Sequence, residues 1–375
     1  MSDSAVDSTV PFPKVAIVSD PLVQRGGAER VVEAMAQAFP EAPIFAIVYS
    51  RERGPASVES RGRTSWLQRI PSASKRHRAF YPFFPAAIES FDLSEFDIIV
   101  SSHHTVAKGL LRGADQVHVC YCHTPMRALW ERSVEELKTL PAFARPLVST
   151  MFGLYRVWDY ATAARVDRFV ANSHVTQRRI QRHYGRDSIL LPPPIDVDRF
   201  TIGESSVAER PYYLVAARPV PYKRVDLAVK AALAANRRVV VAGGDHSGLP
   251  VDERVECVGS VDDRTLLDLM RGAEALLFPQ KEDFGMTPLE MNACGKPTIA
   301  FAAGGALDTV VDGKTGVLVG EQTVAAFARG IERCESLSFD PHVLREHAMT
   351  FSSKSFIEKL RAIVDESWLE SRASS

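Results

Sequence analysis

The sequence predicts an α/β protein made of two doubly wound, parallel-sheet domains. Three observations carry that prediction. Residues 14–20, centred on Val15-Ala16-Ile17-Val18, read as a buried parallel strand, and a Gly26-Gly27 turn and a helical stripe (Val31, Val32, Met35, Phe39) follow it. Pro192-Pro193-Pro194 then breaks the chain, because three successive prolines fit neither a helix interior nor a central strand. Beyond that break the alternation of strand and helix begins again, as a second parallel sheet requires.

Taken in order, residues 42–49, 97–101, 117–122 and 168–171 are expected strands of the first domain. Helical stretches lie between them, the longest over residues 145–166. Residues 191–200 form a stiff connector. The second domain is expected to place strands at 212–217, 238–242, 255–259, 275–278, 298–302 and 317–319, with helices at 224–235 and 263–271. The implied domains are 13–190 and 191–352, after a loose tail over 1–12. The final helix, over about 353–371, has length to spare.

Bulk numbers bound the function. A chain of 375 residues with 46% apolar and 24% charged residues can build two ordinary cores. A net charge of −1 argues against a general nucleic-acid binder. Cys120, Cys122, Cys257, Cys294 and Cys334 are odd in number and dispersed, which fits reduced thiols in a cytosolic chain. No apolar run approaches the ~20 residues of a spanning helix. Residues 1–9 are polar and acidic, without the apolar centre of a secretory signal.

The richest stretch runs from Gln280 to Pro297, between an apolar strand and a glycine-proline stop. Thr287 suits a helix N-cap, Pro288 the first helical position, and Glu290 the last place of a capping box. Free N–H groups at such a start favour an anion. Glu282 and Glu290 stand with seven residues between them. Glu290 either caps its helix or serves a ligand, and Glu282 either serves a ligand or is an ordinary solvated acid. Arg218 and Lys223 flank a proline turn at the carboxyl end of a strand, where two cations could hold a diphosphate or simply be solvated. Gly26-Gly27 is a weaker signal, and it lacks the G-x-G-x-x-G dinucleotide fingerprint.

Cys120-Tyr121-Cys122-His123 ends a strand. The spacing does not suit a zinc site, so the thiols read as small core residues, while His123 either faces the presumed cleft or is structural. His103, His104, Asn172 and Ser173 hold similar strand-end positions. Asp196-Val197-Asp198 could be a D-x-D metal motif, but beside the prolines it reads as connector. Residues 61–88 carry Arg61, Arg63, Arg69, Lys75, Arg76 and Arg78 with no acid, interleaved with Trp66, Phe80, Tyr81, Phe83 and Phe84. That mix suits an anionic membrane surface, or a solvated basic loop over a core cluster.

The Glu282–Glu290 pair with Phe284-Gly285 between, together with Arg218 and Lys223, resembles the E-x7-E and R-x4-K elements of retaining glycosyltransferases of family 4. That resemblance implies the GT-B fold, two Rossmann-like domains facing across a cleft, with the last helix crossing back to the first domain. It implies that Arg218 and Lys223 neutralise the leaving diphosphate, Glu282 contacts the donor sugar, Glu290 holds the ribose, and His123 lies close to the sugar. Backbone groups of Gly26, Gly27, Phe284, Gly285, Met286 and Thr287 would complete donor binding. His123-Thr124-Pro125-Met126-Arg127 and the 221–226 segment are similar to bacterial mannosyltransferases that use GDP-mannose and a polyprenyl-diphosphate-linked oligosaccharide. The short 243–248 loop departs from many relatives and leaves guanine against uracil open. No metal or other cofactor is expected. A cytoplasmic enzyme, peripheral on the inner membrane face, would fit. A nucleotide-sugar epimerase and a non-catalytic nucleotide-binding protein remain alternatives, and an NAD-dependent enzyme is disfavoured by the missing fingerprint.

Overall fold

The computed structural model describes residues 13–24, 26–205 and 210–373. The expected N-terminal tail lies outside them. The chain divides into two compact units. Unit 1 holds the residues up to Val170, Ile180–Ile189 and the residues from Leu360 on; unit 2 holds Ala171–Arg179 and Leu190–Lys359.

Unit 1 is organised by a seven-stranded sheet of β1 (Val15–Ser19), β2 (Ile44–Ala46), β3 (Gly62–Thr64), β4 (Ile98–His103), β5 (Val117–Cys122), β6 (Arg168–Ala171) and β7 (Ser188–Leu190), in the order 3-2-1-4-5-6-7. β1 pairs in parallel with both β2 and β4, and β4 with β5. β1, β4 and β5 are almost wholly buried, the mark of strands covered on both faces. The Gly27–Ala38 helix puts Val31, Val32 and Met35 inward, as the stripe predicts.

Unit 2 contains a six-stranded, all-parallel sheet of β8 (Tyr213–Ala216), β9 (Val239–Ala242), β10 (Val255–Gly259), β11 (Ala275–Phe278), β12 (Thr298–Phe301) and β13 (Gly316–Val319), in the order 10-9-8-11-12-13. Two apolar cores sandwich it, one built on Ala228, Ala231 and Phe327, the other on Leu214, Leu276 and Met291.

β3 and β7 were not expected. Each is three residues long, and neither shows the apolar run that marks a buried strand. The triple-proline connector is anchored within unit 2. Ile195 N–H donates to the Phe351 carbonyl at 2.8 Å, and the Arg345 guanidinium donates to the carbonyls of Phe200 (2.8 Å), Ala293 (3.0 Å) and Val197 (3.1 Å).

Each sheet reverses direction of growth once, at β1/β4 in unit 1 and at β8/β11 in unit 2. The carboxyl ends of the strands at such a reversal are where doubly wound sheets bind ligands, because the two departing loops splay apart there.

Candidate functional site

In unit 2 the reversal brings together the loops after β8 and β11. The first carries Arg218 and Lys223, the second Glu282. Lys223 Nζ and Glu282 Oε1 form an ion pair, with both side chains mostly shielded from solvent. Two residues 59 positions apart in sequence thus meet at the predicted place. Lys223 also lies 5.3 Å over the Tyr222 ring. Arg218 is exposed and, among the described residues, makes no ion pair, so its guanidinium stays open to an anion.

Gln322, a residue the sequence reading passed over, ties these two loops together. Its side chain donates to the Pro279 carbonyl at 2.7 Å and accepts from Arg224 at 3.1 Å. Arg224 adopts the left-handed conformation (φ 51°), a cost that surrounding structure must offset and that is common beside functional sites.

The loop after β11 continues through Gly285 (φ 85°), which only glycine adopts without strain. Gly305 packs against this loop so closely that an added Cβ would lie 2.1 Å from the Phe284 carbonyl oxygen, and Gly305 N–H donates to the Glu282 carbonyl at 3.0 Å. The Gly304-Gly305 pair after β12 therefore seats the Glu282 loop. Two glycines between a strand and a helix were a legible signal that the sequence reading missed.

One expectation needs correction. The helix runs Thr287–Ala293, with Met286 in the N-cap place and no side-chain cap. Starting one residue early puts Thr287 and Glu290 out of register for a capping box. The Phe284 ring is buried in a cluster with Ile195, Val197 and Leu289, so the ring serves packing and only the backbone of Phe284 is left for a donor. Glu290 is only 6% exposed. Asp283, next to Glu282, pairs with Arg179.

Unit 1 has its own cluster at the ends of β1, β4 and β5. Asp20, wholly buried after β1, accepts the backbone N–H groups of His104 (2.6 Å), Thr105 (2.7 Å), Val106 (2.8 Å) and Ala107 (3.1 Å). One carboxylate thus fixes the whole loop after β4, and His104 Nδ1 lies 3.2 Å from it. His123, after β5, has Nε2 2.9 Å from Ser102 Oγ and its N–H on the His103 carbonyl at 2.8 Å. Burial, then the nearby His104, push its pKa down to about 3, so the ring is neutral at pH 7. His103 is buried, its Nδ1 accepting Lys108 N–H at 3.4 Å, and burial holds it well below the usual histidine range.

The Gly26-Gly27 turn opens the first helix, with Gly26 at the N-cap. Glu29, three residues on, accepts from the backbone N–H of Gly26, half of a capping box. Burial raises the Glu29 pKa, and its Oε2 is buried without a partner. Asp20 and Glu29, the acids that shape unit 1's loops, were both missed.

The comparisons with known proteins bear on the family and the fold. Residues 25–199 match the family described as Glycosyltransferase Family 4, and residues 198–351 match Glycosyl transferases group 1. The matches are contiguous and span most of the chain. The chain belongs to the group 1, family 4 glycosyltransferases. It is 31% identical over 245 residues to the D-inositol 3-phosphate glycosyltransferase of Geodermatophilus obscurus, covering 55% of this chain and 54% of that one. It is 28% identical over 287 residues to the namesake from Acidothermus cellulolyticus, covering 61% and 64%. The chain spans about half to two thirds of the length of these curated relatives. Among solved structures it is similar to HepE of Anabaena in complex with UDP (TM-score 0.66, 16% identity, 94% of this chain and 100% of that one). It is also similar to sucrose-phosphate synthase of Thermosynechococcus elongatus (TM-score 0.67, 16% identity, 96% and 100%). These likenesses and the two parallel sheets make the fold GT-B.

In this family member, other candidates have structural employment. Ser173 Oγ accepts Thr176 N–H at 3.2 Å, capping the His174–Tyr184 helix, and donates to Asn172 Oδ1 at 3.0 Å. Asp196 Oδ1 accepts Arg199 N–H at 3.1 Å, a turn cap, and both Asp196 and Asp198 are exposed. Cys120 and Cys122 are buried free thiols, and burial pushes Cys120 up to about 12. In the 61–88 segment, Arg61 donates to the carbonyls of Ala36 (3.1 Å), Phe39 (3.0 Å) and Ala42 (3.2 Å), and Arg63 pairs with Glu95 at 3.0 Å. Phe84 is buried in the core, while Trp66 and Phe83 are exposed.

Proposed function

We propose that the chain transfers a hexose from a nucleotide-sugar donor to an acceptor, with retention of anomeric configuration. The observation that carries the reading is the meeting of Lys223 and Glu282 at the β8/β11 reversal, with Arg218 on the same loop as Lys223. Arg218 and Lys223 would stabilise charge growing on the leaving diphosphate, which is preorganised electrostatic catalysis. In the free protein Glu282 neutralises Lys223; an incoming diphosphate would compete for the ammonium and release the carboxylate to the sugar hydroxyls. Glu290 would serve the ribose. His123 enters the proposal on the sequence resemblance, as a neutral imidazole near the sugar. The chemistry calls on no metal, so a chelator should leave turnover unchanged.

The donor we favour is GDP-mannose and the acceptor a polyprenyl-diphosphate-linked oligosaccharide, on the likeness of residues 123–127 and 221–226 to bacterial mannosyltransferases. The relatives' names favour a second acceptor class, a phosphorylated cyclitol, and the solved neighbours' complexes favour uracil over guanine.

The test is thermal stabilisation by GDP-mannose, UDP-glucose and UDP-N-acetylglucosamine, since a ligand of the native state raises the melting point by mass action. Transfer by the stabilising donor to each acceptor class is then measured. Lys223→Ala should lower turnover by orders of magnitude without unfolding the chain. Undiminished turnover would remove the assigned role. Conversion of the donor sugar without an acceptor would point to an epimerase.

A further inference from the structure

His103, His104 and His123 stand at the carboxyl ends of β4 and β5, and their surroundings differ. His103 is wholly buried, its Nδ1 accepting the Lys108 N–H. His123 has Nε2 2.9 Å from Ser102 Oγ, and burial, then His104, hold its pKa down to about 3. Such a ring can hydrogen-bond, but it takes up no proton at neutral pH. His104 is unlike both. Its side chain is 38% exposed, and its Nδ1 lies 3.2 Å from Asp20 Oδ2.

That contact fixes the tautomer. A lone pair on Nδ1 would face a carboxylate, so Nδ1 carries the proton, and the lone pair of the neutral ring lies on Nε2. Asp20 is held in place by the backbone N–H groups of residues 104–107, His104's own among them. Ring and carboxylate therefore belong to one rigid turn. Nε2 makes no hydrogen bond among the described residues. The ionisable groups around the ring are Asp20 after β1, Glu29 on the Gly27–Ala38 helix, His77 in the 61–88 segment, His103 on its own strand and His123 after β5. Burial lowers the pKa of His77, His103 and His123, so none of the three sets a positive charge beside His104 at pH 7. A proton on Nε2 would give a cation matched by Asp20.

We propose that His104 is the proton acceptor of the transfer, its Nε2 binding the acceptor hydroxyl that attacks the sugar and taking its proton. The anomeric carbon gains a bond to the acceptor oxygen and loses its bond to the diphosphate oxygen. The diphosphate leaves with the electron pair of the broken bond, and the proton passes to Nε2 and on to solvent. The inference rests on the transfer reading above, in which His123 lies close to the sugar; the His104 and His123 rings are 6.3 Å apart. His123 is then a neutral hydrogen-bonding ring and His104 the carrier of the proton.

The test is the transfer rate of the full chain against pH. The donor is whichever of GDP-mannose, UDP-glucose and UDP-N-acetylglucosamine stabilises it, and the acceptors are inositol 3-phosphate and a prenyl-diphosphate-linked oligosaccharide. His104→Asn keeps an N–H donor near the place of Nδ1 and removes Nε2. It should lower kcat by at least about 100-fold while the donor still raises the melting point as in the wild type. The wild type should lose activity as falling pH protonates His104, and His104→Asn should lack that acid limb. His104→Ala should regain activity with added imidazole, which a merely structural role would not allow. Diethyl pyrocarbonate, which acylates an accessible neutral imidazole, should modify His104 ahead of His103 and His123 in the wild type. Unchanged tryptophan fluorescence shows that each variant is folded. A loss of less than about tenfold in His104→Asn, an acid limb that survives in it, a folded His104→Ala that imidazole does not rescue, or acylation of His123 before His104 would each overturn the assignment. A wild type that transfers to neither acceptor would instead overturn the transfer reading, and the assignment with it.

Discussion

Lys108 and Asp159 offer the sharpest test of how unit 1 holds its site. Both side chains are fully buried, with Lys108 Nζ 2.9 Å from Asp159 Oδ1. Lys108 also donates to Thr162 Oγ1 at 2.7 Å and lies 4.7 Å over the Tyr184 ring. Asp159 takes two further donors, Trp130 Nε1 at 2.7 Å and Tyr184 Oη at 3.0 Å. Lys108→Met removes one charge, fits the volume of the stem, and leaves the carboxylate uncompensated. Breaking such a pair costs about 3–5 kcal/mol. For a unit of this size 1 kcal/mol is worth roughly 2–4 °C, so the melting point should fall by about 6–20 °C. Lys108→Met with Asp159→Asn removes both charges and should recover part of the loss, at least about 1 kcal/mol by a double-mutant cycle. The assay is intrinsic fluorescence, because Trp66, Trp130, Trp158 and Trp368 all belong to unit 1 and report its unfolding selectively. Lys108 directly follows the loop held by Asp20, so hydrogen exchange at residues 104–107 should also quicken in the single variant. A single variant within about 1 kcal/mol of wild type, or strictly additive effects, would refute the reasoning.

Three further predictions use the same fluorescence or a donor-binding assay. Asp20→Asn turns an amide N–H toward backbone donors that now share a carboxylate, and should cost about 2–4 kcal/mol and quicken exchange at residues 104–107; wild-type stability would show the loop to be held otherwise. Gly305→Ala drives a methyl into the Phe284 backbone and must displace the Glu282 loop; donor affinity should fall at least about tenfold with the fold retained, and unchanged affinity would separate that loop from the donor site. His118 is pushed down to about 3, first by burial. Its folded pKa lies below the unfolded value near 6.5, so the unfolded chain binds more protons between the two. The stability it contributes is present above pH ~6.5 and is lost as pH falls toward ~3; His118→Gln should flatten that acid limb, and a profile identical to wild type would contradict the assignment.

The unit 2 site was legible because its signals are local. Glycine, proline and charged residues stand at fixed offsets from strand ends, and an apolar run shows where each strand ends. The same logic placed Gly26-Gly27 and His123. The unit 1 acids were less legible for a physical reason. Asp20 and Glu29 look like any surface carboxylates until the fold buries them, and only then does the number of N–H groups aimed at Asp20 become visible. Gln322 is a similar case, since its two partners lie 43 and 98 positions away.

By itself, then, the sequence determined where the buried strands and the connector fall, though not the short β3 and β7, since burial on both faces writes a run of apolar residues and proline forbids continuation. It also marked which charged residues end strands. Tertiary structure alone decided which strand ends are neighbours, because sheet order at β8/β11 is a long-range choice. It decided that Lys223 meets Glu282, that Phe284 turns inward, and that His104 stays open to solvent while His103 is buried. Each of those outcomes depends on which surfaces remain after the cores have packed, and no local pattern records that remainder.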